Sequence, residues 1–270
     1  MKNIIITFAL IITLYYFYGF IKRENFVSQE ISDLNYQRNT NKVTFLTAEQ
    51  TKNYILEDGD TYIHDLSQWD LFARKIDSTD DYKIASAHTS MNFTNEQKDR
   101  FSKATIAADA FFNTIHTTHT TNIDSIDGNK IANIPWIFAM TDGTVYEDGL
   151  PHTRGNIIFV SNNITETPDY LIKTFIHEKI HIYERMYPAD IDQFLIKNRY
   201  TRVKRRYGIP RIRANPDLDE WVYVDEKNGK ELMALYSSDK PHNITDVILN
   251  DTALEHPYEL LAYKIADLYK

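Results

Sequence analysis

Residues 167–187 read TPDYLIKTFIHEKIHIYERMY. The stretch opens as helices do. Thr167 suits an N-cap, Pro168 the first helical position, and Asp169 places an acid in the first turn. Leu171, Phe175, Ile182 and Met186 fall within about 60° of one another on a helical wheel, with Ile172 and Ile176 beside them. That apolar arc excludes His177 and His181. One side of the helix is expected to pack and the other to present ligands. His177 and His181 stand at i and i+4, so both imidazoles reach one metal ion. Glu178 sits about 100° round from His177 and about 60° from His181. From there it faces a metal's open position without being a ligand, where it can take a proton from an activated water.

Working outward, Thr47-Ala-Glu-Gln50 and Thr94-Asn-Glu-Gln97 have the form of capping boxes. The first predicts a short helix and the second a long one over 95–115. Another short helix is expected around Ser67–Lys75. Pro135–Met140, then Asp142-Gly143, then Thr144–Tyr146 reads as strand, turn, strand. Asn156–Ser161 is a further strand, directly before the helix of residues 167–187. The chain changes character at Tyr187-Pro188-Ala189. Helical pieces are expected beyond it, the last starting at Pro257 and running nearly to Lys270. The predicted class is α+β: a small mixed sheet packed on the helix that carries His177 and His181, then a mostly helical C-terminal lobe. The lobes would divide at about 46–187 and 188–270.

The composition bounds the function. The chain has 270 residues and a net charge of −8. That acidic balance argues against nucleic-acid partners. Without cysteine there is no disulfide framework, thiolate metal site or Cys nucleophile. Any metal must be held by His, Asp or Glu. Asn3–Ile21 carries no charge and is bounded by Lys2 and by Lys22-Arg23. Its length as a helix, roughly 28 Å, matches one hydrocarbon core. Tyr15, Tyr16 and Tyr18 suit the interface at one end. Residues 1–22 are therefore expected to be a single transmembrane anchor, and residues 23–45 a polar tether. Sequons at Asn92, Asn163, Asn243 and Asn250 fit a domain outside the cytosol.

His177-Glu178-x-x-His181 resembles the signature of zincin metallopeptidases. The resemblance implies a helix, a small sheet and then the motif helix, an order that residues 95–187 follow. It also implies a zinc ion (Zn²⁺) held by the two histidines, with Glu178 as catalytic base. In zincins the sheet's edge strand binds the extended substrate. The matching candidate is Asn156, Ile157, Ile158, Phe159, Val160 and Ser161, by strand addition. Glu184 and Tyr187 stand where the metzincin subgroup has Gly and its third His. The gluzincin subgroup instead takes its third ligand from a Glu on a later helix. Glu259 in His256-Pro-Tyr-Glu259-Leu-Leu-Ala262-Tyr-Lys-Ile-Ala266 is the match, with Ala262 and Ala266 on its face to allow close helix approach.

The expected function is thus a membrane-anchored zinc endopeptidase acting on peptides or proteins. The rival is a zincin-fold binding or surface protein without turnover. Tyr223, Tyr236, Tyr258, Tyr263 and His256 are open candidates to stabilise an oxyanion. Lys197–Arg213 holds eight basic residues and is expected to be a solvated surface paired with the acids that follow it. His116 and His119 read as a polar loop, and Asp124–Asn129 as a turn.

Overall fold

The computed structural model describes residues 43–115, 123–164, 167–250 and 254–270. The apolar run Asn3–Ile21 and the pair His116/His119 lie outside them. No helix among the described residues is long and apolar enough to cross a membrane.

The chain runs β1 (Val43–Phe45), α1 (Ala48–Glu57), α2 (Gln68–Ala73), α3 (Thr79–His88), β2 (Ser90–Met91), α4 (Asn95–Phe112), α5 (Gly128–Asn133) and β3 (Trp136–Thr141). A 3₁₀ turn at Tyr146–Gly149 leads to β4 (His152–Arg154), β5 (Ile157–Ser161) and α6 (Pro168–Met186). Then follow α7 (Pro188–Asn198), β6 (Tyr200–Arg205), β7 (Trp221–Asp225), β8 (Lys230–Leu232), β9 (Ala234–Tyr236), β10 (Val247–Leu249) and α8 (Pro257–Ala266). The class is α+β.

The central sheet is mixed, with strand order β1-β3-β5-β4 and β2 paired to β3. β1 and β5 run parallel to β3, while β2 and β4 are antiparallel. All six residues of β3 are buried, because helices cover both faces of the sheet. The period of two sorts its side chains. Trp136, Phe138 and Met140 join Phe101 of α4 and Phe175 of α6 in one core. Ile137 and Ala139 join Ile55, Tyr82 and Tyr146 in the other. The Phe175 ring lies 4.9 Å from Phe101 and 4.8 Å from Phe138, which seats α6 on the sheet. Both predicted capping boxes form, at Thr47 and at Thr94.

Several expectations are corrected. Val43–Phe45, assigned to the tether, is strand β1 in register with Trp136–Phe138. Thr144–Tyr146 is not a strand. Glu147 is drawn inward there, its carboxylate accepting from Arg74 and from the Tyr82 hydroxyl. The backbone instead turns, with Glu147 at φ 48° and Asp148 at φ 52°. Residues 188–270 are not mostly helical. They form an antiparallel sheet β6-β7-β8 and a pair β10-β9 between α7 and α8. Asn228-Gly229, with Gly229 at φ +71°, makes the turn between β7 and β8, a hairpin signal in the sequence. Val43–Lys270 forms one compact unit. Tyr223, Leu261 and Ile265 share a core with Phe175 and Ile180.

Candidate metal centre

α6 carries the motif. Leu171, Phe175 and Ile182 are buried as expected, but Met186 is 49% exposed, in the last turn of the helix. His181 is fully buried and Glu178 4% exposed, so the ligand side of the helix is covered too. The cover is α8. Its Ala262 and Ala266 are buried, and small side chains there let the two helices approach. Glu259 enters the site from α8's first turn. His256 caps that helix, its Nδ1 accepting from Tyr258 N–H at 3.2 Å.

His177 Nε2 lies 3.1 Å from His181 Nε2 and 3.4 Å from Glu259 Oε2. One ligand atom from each residue falls within 4.8 Å of the others. A tetrahedral zinc with N and O bonds of 2.0–2.1 Å sets neighbouring ligand atoms about 3.3 Å apart. The 3.1 and 3.4 Å separations match that spacing, and two imidazole nitrogens with a carboxylate oxygen are a donor set that zinc accepts.

His181 has a second partner. Its Nδ1 lies 2.8 Å from Glu184 Oε2, with both side chains fully buried. Burial pushes the Glu184 carboxyl well above its usual range and the His181 ring well below its own. The ring is neutral. With a metal on Nε2 its proton must sit on Nδ1, where Glu184 accepts it. Sequence reasoning gave Glu184 no role beyond the absent glycine. Its position three residues after His181 on one helix was the available signal. Lys179, inside the motif, is also buried. Its ammonium reaches Asp109 Oδ1 at 2.7 Å and lies 3.9 Å from the Trp136 ring. It fastens α6 to α4 and β3.

A cleft of about 500 Å³ opens at the site, lined by His177, Glu178, Glu259 and Tyr263. Of the five oxyanion candidates, Tyr263 alone lines it. The Tyr223 hydroxyl donates to Asp219 at 2.6 Å and that of Tyr236 to Asp70 at 2.9 Å. His256 Nε2 is 3.2 Å from Asp219 Oδ1, and Tyr258 is buried beside Tyr223. The Tyr263 ring stands 4.5 Å from that of His177. Burial, then the nearby Glu259 and Glu178 carboxylates, raise its hydroxyl above the usual range, so it is a donor at neutral pH.

The expected substrate strand is not at the edge of the sheet. Asn156 precedes β5, and Ile157–Ser161 form β5, which lies between β3 and β4. None of the six lines the cleft. The edge strand is β4, and its outward groups are taken. Thr153 N–H donates to Asp217 Oδ1 at 2.6 Å, and Thr153 C=O accepts from Arg185 Nη2 at 3.3 Å. Strand addition over Thr153 therefore requires displacing the chain's own side chains.

The basic segment is paired, though only in part with the acids that directly follow it. Lys197, Arg202 and Lys204 meet Asp124, Asp192 and Glu231, and Arg205 meets Glu220. Asp127 caps α5, its Oδ1 accepting from Asn129 and Lys130 N–H.

Compared with family models, with curated proteins and with solved structures, the chain matches none. The functional reading rests on the geometry of the site.

Proposed function

We propose that the chain is a zinc-dependent peptidase of zincin type, with Glu259 as the third ligand. The observation that carries the reading is the convergence of ligand atoms from His177, His181 and Glu259 within 4.8 Å, with His177, Glu259 and Glu178 lining one cleft. The order helix α4, sheet, motif helix α6 supports it. Bound there, zinc supplies Lewis acidity and lowers the pKa of water toward about 7. Glu178 accepts the proton of the attacking water and returns it to the departing amine. Tyr263 donates a hydrogen bond to the developing oxyanion. Glu184 holds the His181 ring with Nε2 toward the cleft. The uncharged run of residues 3–21 supports a membrane anchor, and the sequons at Asn92, Asn163, Asn243 and Asn250 favour the enzyme outside the cytosol. Release of the full-length protein by carbonate would refute that anchor.

The closed edge of β4 favours a second reading, a binding protein of the same fold without turnover. Glu178 in the cleft speaks for the enzyme, since a structural metal site has no use for a base. Hydrolysis of unstructured peptides by residues 43–270 separates the two. Zinc-dependent cleavage that vanishes in Glu178→Gln is the expected result. A zinc-loaded protein inert toward all such peptides would support the binding reading.

A further inference from the structure

The segment Arg213–Asp219, between β6 and β7, is a strap along one wall of the metal cleft. Arg213–Pro216 borders that cleft on one side and a second cavity of about 400 Å³ on the other. Ala214 and Leu218 pack on the two cores, and polar ties fix the residues between them. Ala214 N–H donates to Asp70 Oδ1 at 2.8 Å. Arg185 Nη2 donates to Pro216 C=O at 2.6 Å. Asp217 Oδ1 accepts from Thr153 N–H and its hydroxyl. Arg213 pairs with Glu255.

Asn215 stands at the middle of the strap. Its Nδ2 lies 2.8 Å from Glu255 Oε1 and 3.1 Å from Glu259 Oε1. Its Oδ1 accepts from Asp217 N–H at 3.0 Å. The amide cannot turn over without setting its oxygen against two carboxylates, so its two N–H groups face Glu255 and Glu259, one for each. Glu259 Oε1 is thereby held, and the other oxygen, Oε2, is the one 3.4 Å from His177 Nε2.

We propose that Asn215 is a positioning residue for the metal centre, fixing one oxygen of Glu259 so that the other meets the ion. The proposal rests on the metal reading above. A carboxylate free to rotate presents either oxygen, or both; one tied at Oε1 presents Oε2 alone. Groups that hydrogen-bond a metal ligand in this way are worth about 10–100-fold in metal affinity.

The test uses Asn215→Asp, which keeps the shape but removes the donor, Asn215→Leu, and Asp217→Ala, which cuts the strap's tie to Thr153 and removes no hydrogen bond to Glu259. Zinc affinity is measured by competition with a chelator, beside the melting temperature of each metal-free protein. The visible spectrum of each cobalt-loaded protein reports coordination. Both Asn215 variants are expected to bind zinc about 10–100-fold more weakly, with an altered cobalt spectrum. Asp217→Ala should lower the melting temperature and keep the parent's affinity and spectrum. Parent-like affinity in both Asn215 variants would overturn the proposal while leaving the metal centre standing. Equal weakening by Asp217→Ala would also overturn it, by assigning the effect to the strap. A parent protein that binds no zinc would overturn the metal reading, and the proposal with it.

Discussion

Glu184→Ala tests whether the centre is built to bind metal. In the parent, His181 Nδ1 meets Glu184 Oε2 at 2.8 Å inside a region of no solvent exposure. With a metal on Nε2, the ring proton sits on Nδ1 and needs an acceptor. Alanine supplies none, so a buried N–H goes unsatisfied at a cost of about 1–3 kcal/mol. The metal-free protein escapes most of that cost. Its ring moves the proton to Nε2, where His177 Nε2 stands 3.1 Å away as acceptor. The penalty therefore falls on the metal-bound state alone and appears as lost affinity, about 5–150-fold. Glu184→Gln keeps an oxygen for the N–H and should lie between alanine and the parent. Competition against a zinc chelator measures all three proteins. Affinity of Glu184→Ala within twofold of the parent, or a larger loss in the glutamine variant, would refute the reasoning.

Glu178→Gln should retain zinc and lose peptidase activity by about 10²–10⁴-fold, measured as turnover of zinc-loaded protein; an unchanged rate rejects the role of base. Glu147 accepts from Arg74 Nη2 at 2.6 Å and from the Tyr82 hydroxyl at 2.8 Å, all buried. Glu147→Ala leaves the buried guanidinium only Asp70, at 3.7 Å, as an ion-pair partner among the described residues and should cost about 3–5 kcal/mol, a drop of about 6–20 °C in a thermal melt. The pair Arg74→Met with Glu147→Leu should recover most of that loss. Burial holds the His152 ring below its usual range. The unfolded chain binds that proton below about pH 6.5 and the folded chain does not. Its contribution to stability is thus fully present above about pH 6.5 and is lost as pH falls toward the folded value. Denaturant midpoints of His152→Phe should fall less steeply from pH 7 to 5 than those of the parent; parallel slopes count against it.

The centre was more legible in the sequence than the fold around it. α6 announces itself through its cap, its proline and an apolar arc, and His177, Glu178 and His181 follow from helical spacing. Glu259 was findable because Pro257 starts its helix and Ala262 and Ala266 mark a close approach. Strand β4 was not, since His152-Thr153-Arg154 is polar and its burial depends on partners far along the chain. Arg154 reaches Asp58 and Asp60, and Thr153 meets Asp217. Tyr200–Arg205 resisted for a related reason. Its charges are matched across strands, Lys204 with Glu231 and Arg205 with Glu220. Until that register is known, such a run looks like a solvated surface of any backbone form. Asn215 has no periodicity at all; only the fold brings it to Glu255 and Glu259.

The central claim is a metal centre held by His177, His181 and Glu259. Elemental analysis of residues 43–270, purified without chelator, tests it most directly when run beside the double variant His177→Ala/His181→Ala. The account predicts one zinc per chain in the parent and none in the variant. A folded parent without metal, or a variant that keeps its zinc, would contradict it.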